Sequence, residues 1–345
     1  MVAALAAFSL VAGCSSSSNA SKVKACLALD TGGVDDKSFN ASAWEGAQAA
    51  EAAGAEVKYL AATSDADYAP NIKKLVDEGC TMVVGVGFLI NGAIVEAAKA
   101  NPDTKFAIVD QDGMDHGPAG DQYPGTALPN LKGLTVATNQ AAFQAGYLAA
   151  GYSKTGKVAS YGGLNIPPVT IFMDGFARGV AYYNAQKGKK VTVLGWDTAK
   201  KDGTFVGGFS DQAKALQISK NFEQQGADVI FPVAGGLGAA TANQSMTGKK
   251  SVTIWVDSDG YVQAPQFASV LLSSVVKGVG TSVTAVIQDV IDGKYTADTY
   301  VGTLENNGTF LAPYHDLEST VDAGLAAEVE QLGQDIIAGT VKVDA

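Results

Sequence analysis

Histidine is almost absent from this sequence: two in 345 residues, His116 and His315, far apart. The three cysteines, Cys14, Cys26 and Cys80, are as scattered, so no His/Cys set stands at metal-ligand spacing and no metal site is expected. No serine, cysteine or lysine sits in a pattern with a base, so no catalytic residues are expected. Basic residues are scarce too: 24 Lys and Arg face 35 Asp and Glu, a net charge of −11. Binders of polyanions carry a basic stripe, and none is present, which argues against nucleic acid and anionic lipid as main partners. Charged residues make up only 17% of the chain, yet no apolar run reaches the roughly 20 residues of a membrane span.

Cofactor motifs are missing on inspection. Gly32 to Ser38 has the look of a phosphate loop, but Asp36 stands where the glycine before the lysine is required, and a carboxylate there repels phosphate. Gly85-Val86-Gly87 lacks the third glycine of a dinucleotide fingerprint. Ser274-x-x-Lys277 and Lys154-Thr155-Gly156 are short matches in the wrong order for penicillin-recognising enzymes. No cofactor is expected.

What the chain has is hydrophobic residues at 47% and forty glycines, material for packed cores joined by tight turns. Strand-like runs at Val23–Leu29, Val57–Leu60, Met82–Val86 and Phe106–Val109 alternate with helical spacing at 38–53, 70–78 and 90–100. After a Gly-, Pro- and Asp-rich loop over 112–129 and a further strand at Leu134–Thr138, the alternation restarts and runs to Val256. Helices are predicted over Phe267–Ile291 and Ala323–Ala338. This order predicts an α/β fold of two Rossmann-like lobes with parallel sheets. The short tail predicts a chain that crosses back between lobes, making a multi-strand hinge. Residues 1–22 form an N-terminal segment and tether. The first lobe takes 23–138 plus about 257–292, and the second takes 139–256 plus about 293–345. Ligands of open α/β sheets bind beyond the carboxyl ends of strands, so two facing sheets predict one cleft between lobes.

Leu10-Val11-Ala12-Gly13-Cys14 resembles the lipobox of bacterial lipoproteins, with Cys14 as the lipidated residue and Ser15 to Asn19 as a polar tether. Cys26 and Cys80 each open an apolar strand-like run. The first and third strands of a doubly wound sheet are neighbours, so the pair either forms a disulfide or stays as two buried thiols.

The loop after the first strand, with the start of its helix, reads Gly32-Gly33-Val34-Asp35-Asp36-Lys37-Ser38-Phe39-Asn40-Ala41-Ser42-Ala43-Trp44-Glu45-Gly46. With Phe106–Asp110, Met173-Asp174-Gly175-Phe176, Phe209-Ser210-Asp211, Val233–Gly236 and Val256–Asp259, it resembles the BMP/PnrA/TmpC family, across essentially everything from residue 23 onward. Those are basic-membrane-protein lipoproteins, the nucleoside-binding components of ABC importers. The resemblance implies a type I periplasmic binding protein fold without catalysis. It also implies a nucleoside ligand, a purine in the first instance, and permease subunits as membrane partners. The chain would face the extracytoplasmic side of the cell membrane on a lipid anchor at Cys14, as a monomer. A sugar, an autoinducer or another small metabolite in the same fold is the competing ligand, and a surface receptor or adhesin the competing role.

A nucleoside site needs aromatic faces, an edge-reading amide or carboxylate, and charged groups for ribose hydroxyls. Phe39 and Phe209 each follow a strand, one per lobe, and the resemblance makes them the pair that sandwiches the base; either ring is otherwise core. Asn40 carries both donor and acceptor for a base edge, or else caps a helix. Asp110 and Asp30 come to the ligand by resemblance, Asp110 at the base edge. Asp257 ends a second-lobe strand, where a carboxylate accepts from two ribose hydroxyls. Lys277, in a predicted helical segment, resembles the family lysine that donates to the sugar, and as buried charges it and Asp257 fit best together. Gly235 and Gly236 let backbone amides approach the ligand, or simply turn the chain.

Overall fold

The computed structural model describes residues 23–117 and 124–344. The lipobox, Cys14 and the tether lie outside them. The first unit runs β1 (Lys24–Leu29), α1 (Phe39–Glu51), β2 (Glu56–Ala61), α2 (Tyr68–Asp77), β3 (Met82–Val86), α3 (Asn91–Ala100) and β4 (Lys105–Val109). A short antiparallel ribbon, β5 (Met114–Asp115) with β6 (Thr126–Ala127), precedes β7 (Leu131–Val136). Strands β1 and β3 are apolar and buried at nearly every position, as strands covered on both faces must be. Helix α2 stops where Gly79 takes a left-handed φ of 78°.

The second unit opens with α4 (Thr138–Tyr152), β8 (Lys157–Gly162), α5 (Pro167–Lys187) and β9 (Thr192–Leu194). A ribbon of β10 (Trp196–Asp197) with β11 (Asp202–Gly203) leads to α6 (Gln212–Gln224), β12 (Val229–Val233), α7 (Gly238–Gly248) and β13 (Val252–Asp257). The chain continues through α8 (Gly260–Gln263), β14 (Leu271–Lys277), α9 (Val279–Ile291), β15 (Tyr300–Gly302), β16 (Thr309–Leu311) and α10 (Ala323–Ile337).

Among the described residues these strands form two six-stranded sheets, β15-β7-β4-β3-β1-β2 and β16-β14-β13-β12-β8-β9. All pairings are parallel except β14 with β16. This is the α/β architecture of two parallel-sheet lobes. The division expected above for the tail needs correction, with the helix predicted over 267–291. Leu271–Lys277 is a strand of the second sheet, buried at all seven positions. A continuous apolar run with β-branched Val275 and Val276 suits a central strand as well as a buried helix, and periodicity does not separate the two. The crossing to the first lobe therefore falls at Gly278 rather than near 257. Helix α9 then packs on α1, where the Thr284 hydroxyl donates to the Gly46 carbonyl at 2.7 Å. Strand β15 also belongs to the first sheet, so the last crossing falls at 303–308 rather than near 293.

Among the described residues, three connections thus join the lobes, at 137, 278 and 303–308. They touch: Ala137 N–H donates to the Gly302 carbonyl and Gly278 N–H to the Gly308 carbonyl, each at 2.8 Å. A Cβ on Gly308 would come within 2.2 Å of Gly302 Cα, so only glycine permits this approach. Cys26 of β1 and Cys80, just before β3, are joined by a disulfide with their Cα atoms 6.0 Å apart.

Candidate functional site

The strand ends supply the charges. Asp30 follows β1, Asp110 follows β4, and Asp257 and Lys277 close β13 and β14. The backbone of Asp110 and Asp257 is left-handed, with φ of 72° and 69°, a conformation that costs an ordinary residue about 1–3 kcal/mol. It is held by tertiary packing: Asp110 N–H donates to the Leu134 carbonyl at 2.9 Å. Lys277 Nζ lies 2.5 Å from Asp110 Oδ1, an ion pair across the lobes with side chains only 4% and 8% exposed. The expected pairing of Lys277 with Asp257 is therefore incomplete: its contact ion is Asp110, and it acts on Asp257 through its field.

The loop into α1 is organised by Asp36. Its carboxylate accepts from the backbone N–H groups of Ser38, Asn40 and Ala41 at 2.9, 2.9 and 3.0 Å. Because Asp36 caps the helix, the Asn40 side chain is released from that task. Asn40 Nδ2 approaches Asp30 Oδ1 at 3.4 Å, while Asn40 Oδ1 is buried with no hydrogen-bond partner among the described residues. A buried unpaired acceptor costs about 1–3 kcal/mol, so it marks a place where a donor is needed.

All nine ligand-site residues named from the sequence line one interlobe cleft. Asp30, Phe39, Asn40 and Asp110 come from the first lobe; Phe209, Gly235, Gly236, Asp257 and Lys277 come from the second. Gly163 has no side chain where Phe209 lies; a Cβ there would come within 2.2 Å of the ring. Lys277 Nζ stands 4.9 Å from the Phe39 ring centre and 5.7 Å from that of Phe172. Phe172 is a site residue the sequence reading missed, together with Ile166, Val169 and Asp36. The available signal was Pro167-Pro168, which starts α5 after β8 and so aims its first turns at the same cleft.

Burial raises the carboxyl groups. Asp30 is pushed well above the usual range by burial, with Asp110 and Asp36 adding repulsion and Asn40 opposing. Asp257 is pushed up to about 6 by burial, opposed by Lys277 and by the hydrogen bond from Ser38. Burial also raises Asp36, against its three backbone donors. Four carboxyl groups and one ammonium make the cleft a poor host for an anion and a good one for a neutral molecule rich in donors. The two histidines do not line it: His116 pairs with Asp112 and His315 with Asp259.

Residues 23–343 match the model of a family described as ABC transporter substrate-binding protein PnrA-like. The chain is 31% identical over 366 residues to the "ABC transporter nucleoside-binding protein BmpA" of Lactococcus lactis, covering 99% of this chain and 96% of that one. It is 29% identical over 325 residues to an uncharacterised lipoprotein of Pyrococcus abyssi, covering 90% and 74%. Its fold is similar to that of an ABC transporter solute-binding protein from Aeropyrum pernix, with a TM-score of 0.78 at 24% identity, covering 93% and 92%.

Proposed function

This chain belongs to the Bmp family of PnrA-like ABC transporter substrate-binding proteins, which are not enzymes, and we propose that its ligand is a nucleoside, a purine nucleoside first, captured between the lobes. The observation that carries this reading is the entry of Phe39 and Phe209, from opposite lobes, into one cleft with buried carboxylates and a lysine. The base stacks against these rings, each face worth about 1–3 kcal/mol. Its edge meets the unpaired Asn40 Oδ1, with Asp30 and Asp110 as further acceptors. The ribose hydroxyls donate to Asp257 and accept from Lys277, and the backbone at Gly235 and Gly236 closes over the ligand.

The four carboxyl groups argue against a nucleotide, whose phosphate would add negative charge to an acidic site. Neighbouring Phe172 adds apolar surface for a flat base. The closed, loaded form is what a membrane permease would recognise, because ligand and permease then favour the same conformation. We further propose that Cys14 carries a lipid that holds the monomeric protein on the extracytoplasmic face of the cell membrane; the Pyrococcus abyssi relative is itself named a lipoprotein. A thermal-shift screen against nucleosides, their free bases, their 5′-monophosphates and pentoses tests the ligand. Nucleosides should stabilise, by about 2.7 kcal/mol at 100 times the dissociation constant, and the other classes far less. Stabilisation by a pentose and by no nucleoside would transfer the site to sugars.

A further inference from the structure

Two dipeptides on opposite lobes exchange hydrogen bonds beside the cleft. Lys37-Ser38 lies in the loop entering α1, and Asp257-Ser258 spans the end of β13. The Ser38 hydroxyl, fully buried, lies 2.8 Å from Asp257 Oδ2 and 3.1 Å from the Val256 carbonyl. In return the Ser258 hydroxyl donates to the Lys37 carbonyl at 3.0 Å. Lys37 and Asp257 are both left-handed, with φ of 56° and 69°, so the backbone on each side is held in an uncommon conformation where the two meet. Neither serine lines the cleft.

A hydroxyl has one proton, and the carboxylate is the stronger acceptor for the Ser38 donor. Both exchanges run between the lobes, so a movement that separates the two dipeptides would break them. We infer that Ser38 and Ser258 are positioning residues: together they clasp the lobes shut and hold the Asp257 carboxylate towards the ligand, setting affinity without touching it. The inference rests on the cleft being the ligand site. A ligand that engages Asp257 favours the closed form, and by linkage the clasp favours the ligand. Gln263 Nε2 also bonds the Glu45 carboxylate across the lobes, at 2.9 and 3.1 Å, but that pair is exposed and contributes less.

The test uses Ser38→Ala and Ser258→Ala in the full chain, with adenosine, inosine and uridine titrated by calorimetry from pH 5 to 8. Small-angle scattering of the nucleoside-free proteins reports how far the lobes open. The groups that face Asp257 are Lys277, Asp110 and Asp36, besides Ser38. Ser38→Ala should weaken the best nucleoside about tenfold or more, since bonds to charged groups are the stronger ones. It should also move the acid limb of binding to higher pH, because Asp257 loses a donor to its ionised form. Ser258→Ala should weaken binding without moving that limb, because its bond goes to a carbonyl. Both variants should scatter as more open particles without ligand. Wild-type affinity, pH profile and scattering in Ser38→Ala would overturn the clasp, and should that variant fail to fold, unchanged affinity and scattering in Ser258→Ala would do the same. A wild type that binds no nucleoside would overturn the proposed ligand, while the ligand-free scattering would still decide the clasp.

Discussion

Asp110 and Asp257 occupy the same position in the two lobes. The sheet orders β4-β3-β1-β2 and β13-β12-β8-β9 correspond strand for strand, and each aspartate stands at the end of the fourth sheet strand of its unit with φ near 70°. Lys277 pairs with the first and lowers the cost of ionising the second. The cleft is therefore built from two copies of one device, a strained carboxylate at a strand end, facing each other over a shared cation.

Removing that cation should be costly. Lys277→Met leaves Asp110 buried and unpaired, and breaking a buried pair from one side costs about 3–5 kcal/mol. Chemical denaturation should show this loss, and adding Asp110→Asn should restore much of it. Equal losses in the single and double variants would mean that the ion pair is not what the lysine contributes.

Acidity should act on the empty protein through Asp257. Its folded pKa, about 6, lies above the unfolded value near 3.8, so the folded state binds more protons between these values. Stability is then fully present below the unfolded value and lost as pH rises towards 6, by about 3 kcal/mol. Asp30, raised in the same direction, steepens the trend. Unfolding followed from pH 7 down to 5 should show the ligand-free protein gaining stability, with a shallower slope in Asp257→Asn. Nucleoside affinity should fall over the same range, because the ribose hydroxyls need the ionised acceptor.

Much of this was legible in the sequence, and the failures have physical causes. The strand Met82–Val86 has the bounds the sequence predicts, since turn residues bracket a short apolar run. Phe39 and Asn40 stood out because their loop follows the first strand, where doubly wound sheets bind ligands, and because the family resemblance falls on that loop. Lys277 lines the cleft from a strand where a helical segment is expected, because a fully buried strand carries no alternation to read. Phe172 was hidden among the apolar residues of α5, where only the helix orientation separates a ring that faces ligand from one that faces core.

The Cys26–Cys80 bridge should matter for the first lobe. It spans 54 residues, and closing a loop of that length stabilises by about 4 kcal/mol in the chain-entropy account. Reduction, or the double change Cys26→Ala with Cys80→Ala, should lower the melting temperature by several degrees. An unchanged transition would mean that strand pairing alone holds β1 beside β3.

Gly163 offers a way to disturb Phe209 from outside the cleft. Gly163→Ala puts a methyl group where the ring lies, 2.2 Å from its nearest carbon, so the ring must move. Nucleoside affinity should drop about tenfold with little change in folding, and wild-type affinity would show that the ring position is not needed.

The most direct test of the account is a calorimetric double-mutant cycle on Phe39→Ala and Phe209→Ala with the tightest-binding nucleoside. Each single change should weaken binding roughly 10- to 100-fold, and the losses should be coupled because both rings hold one base. Affinity that survives both substitutions unchanged would contradict a base clamped between the lobes.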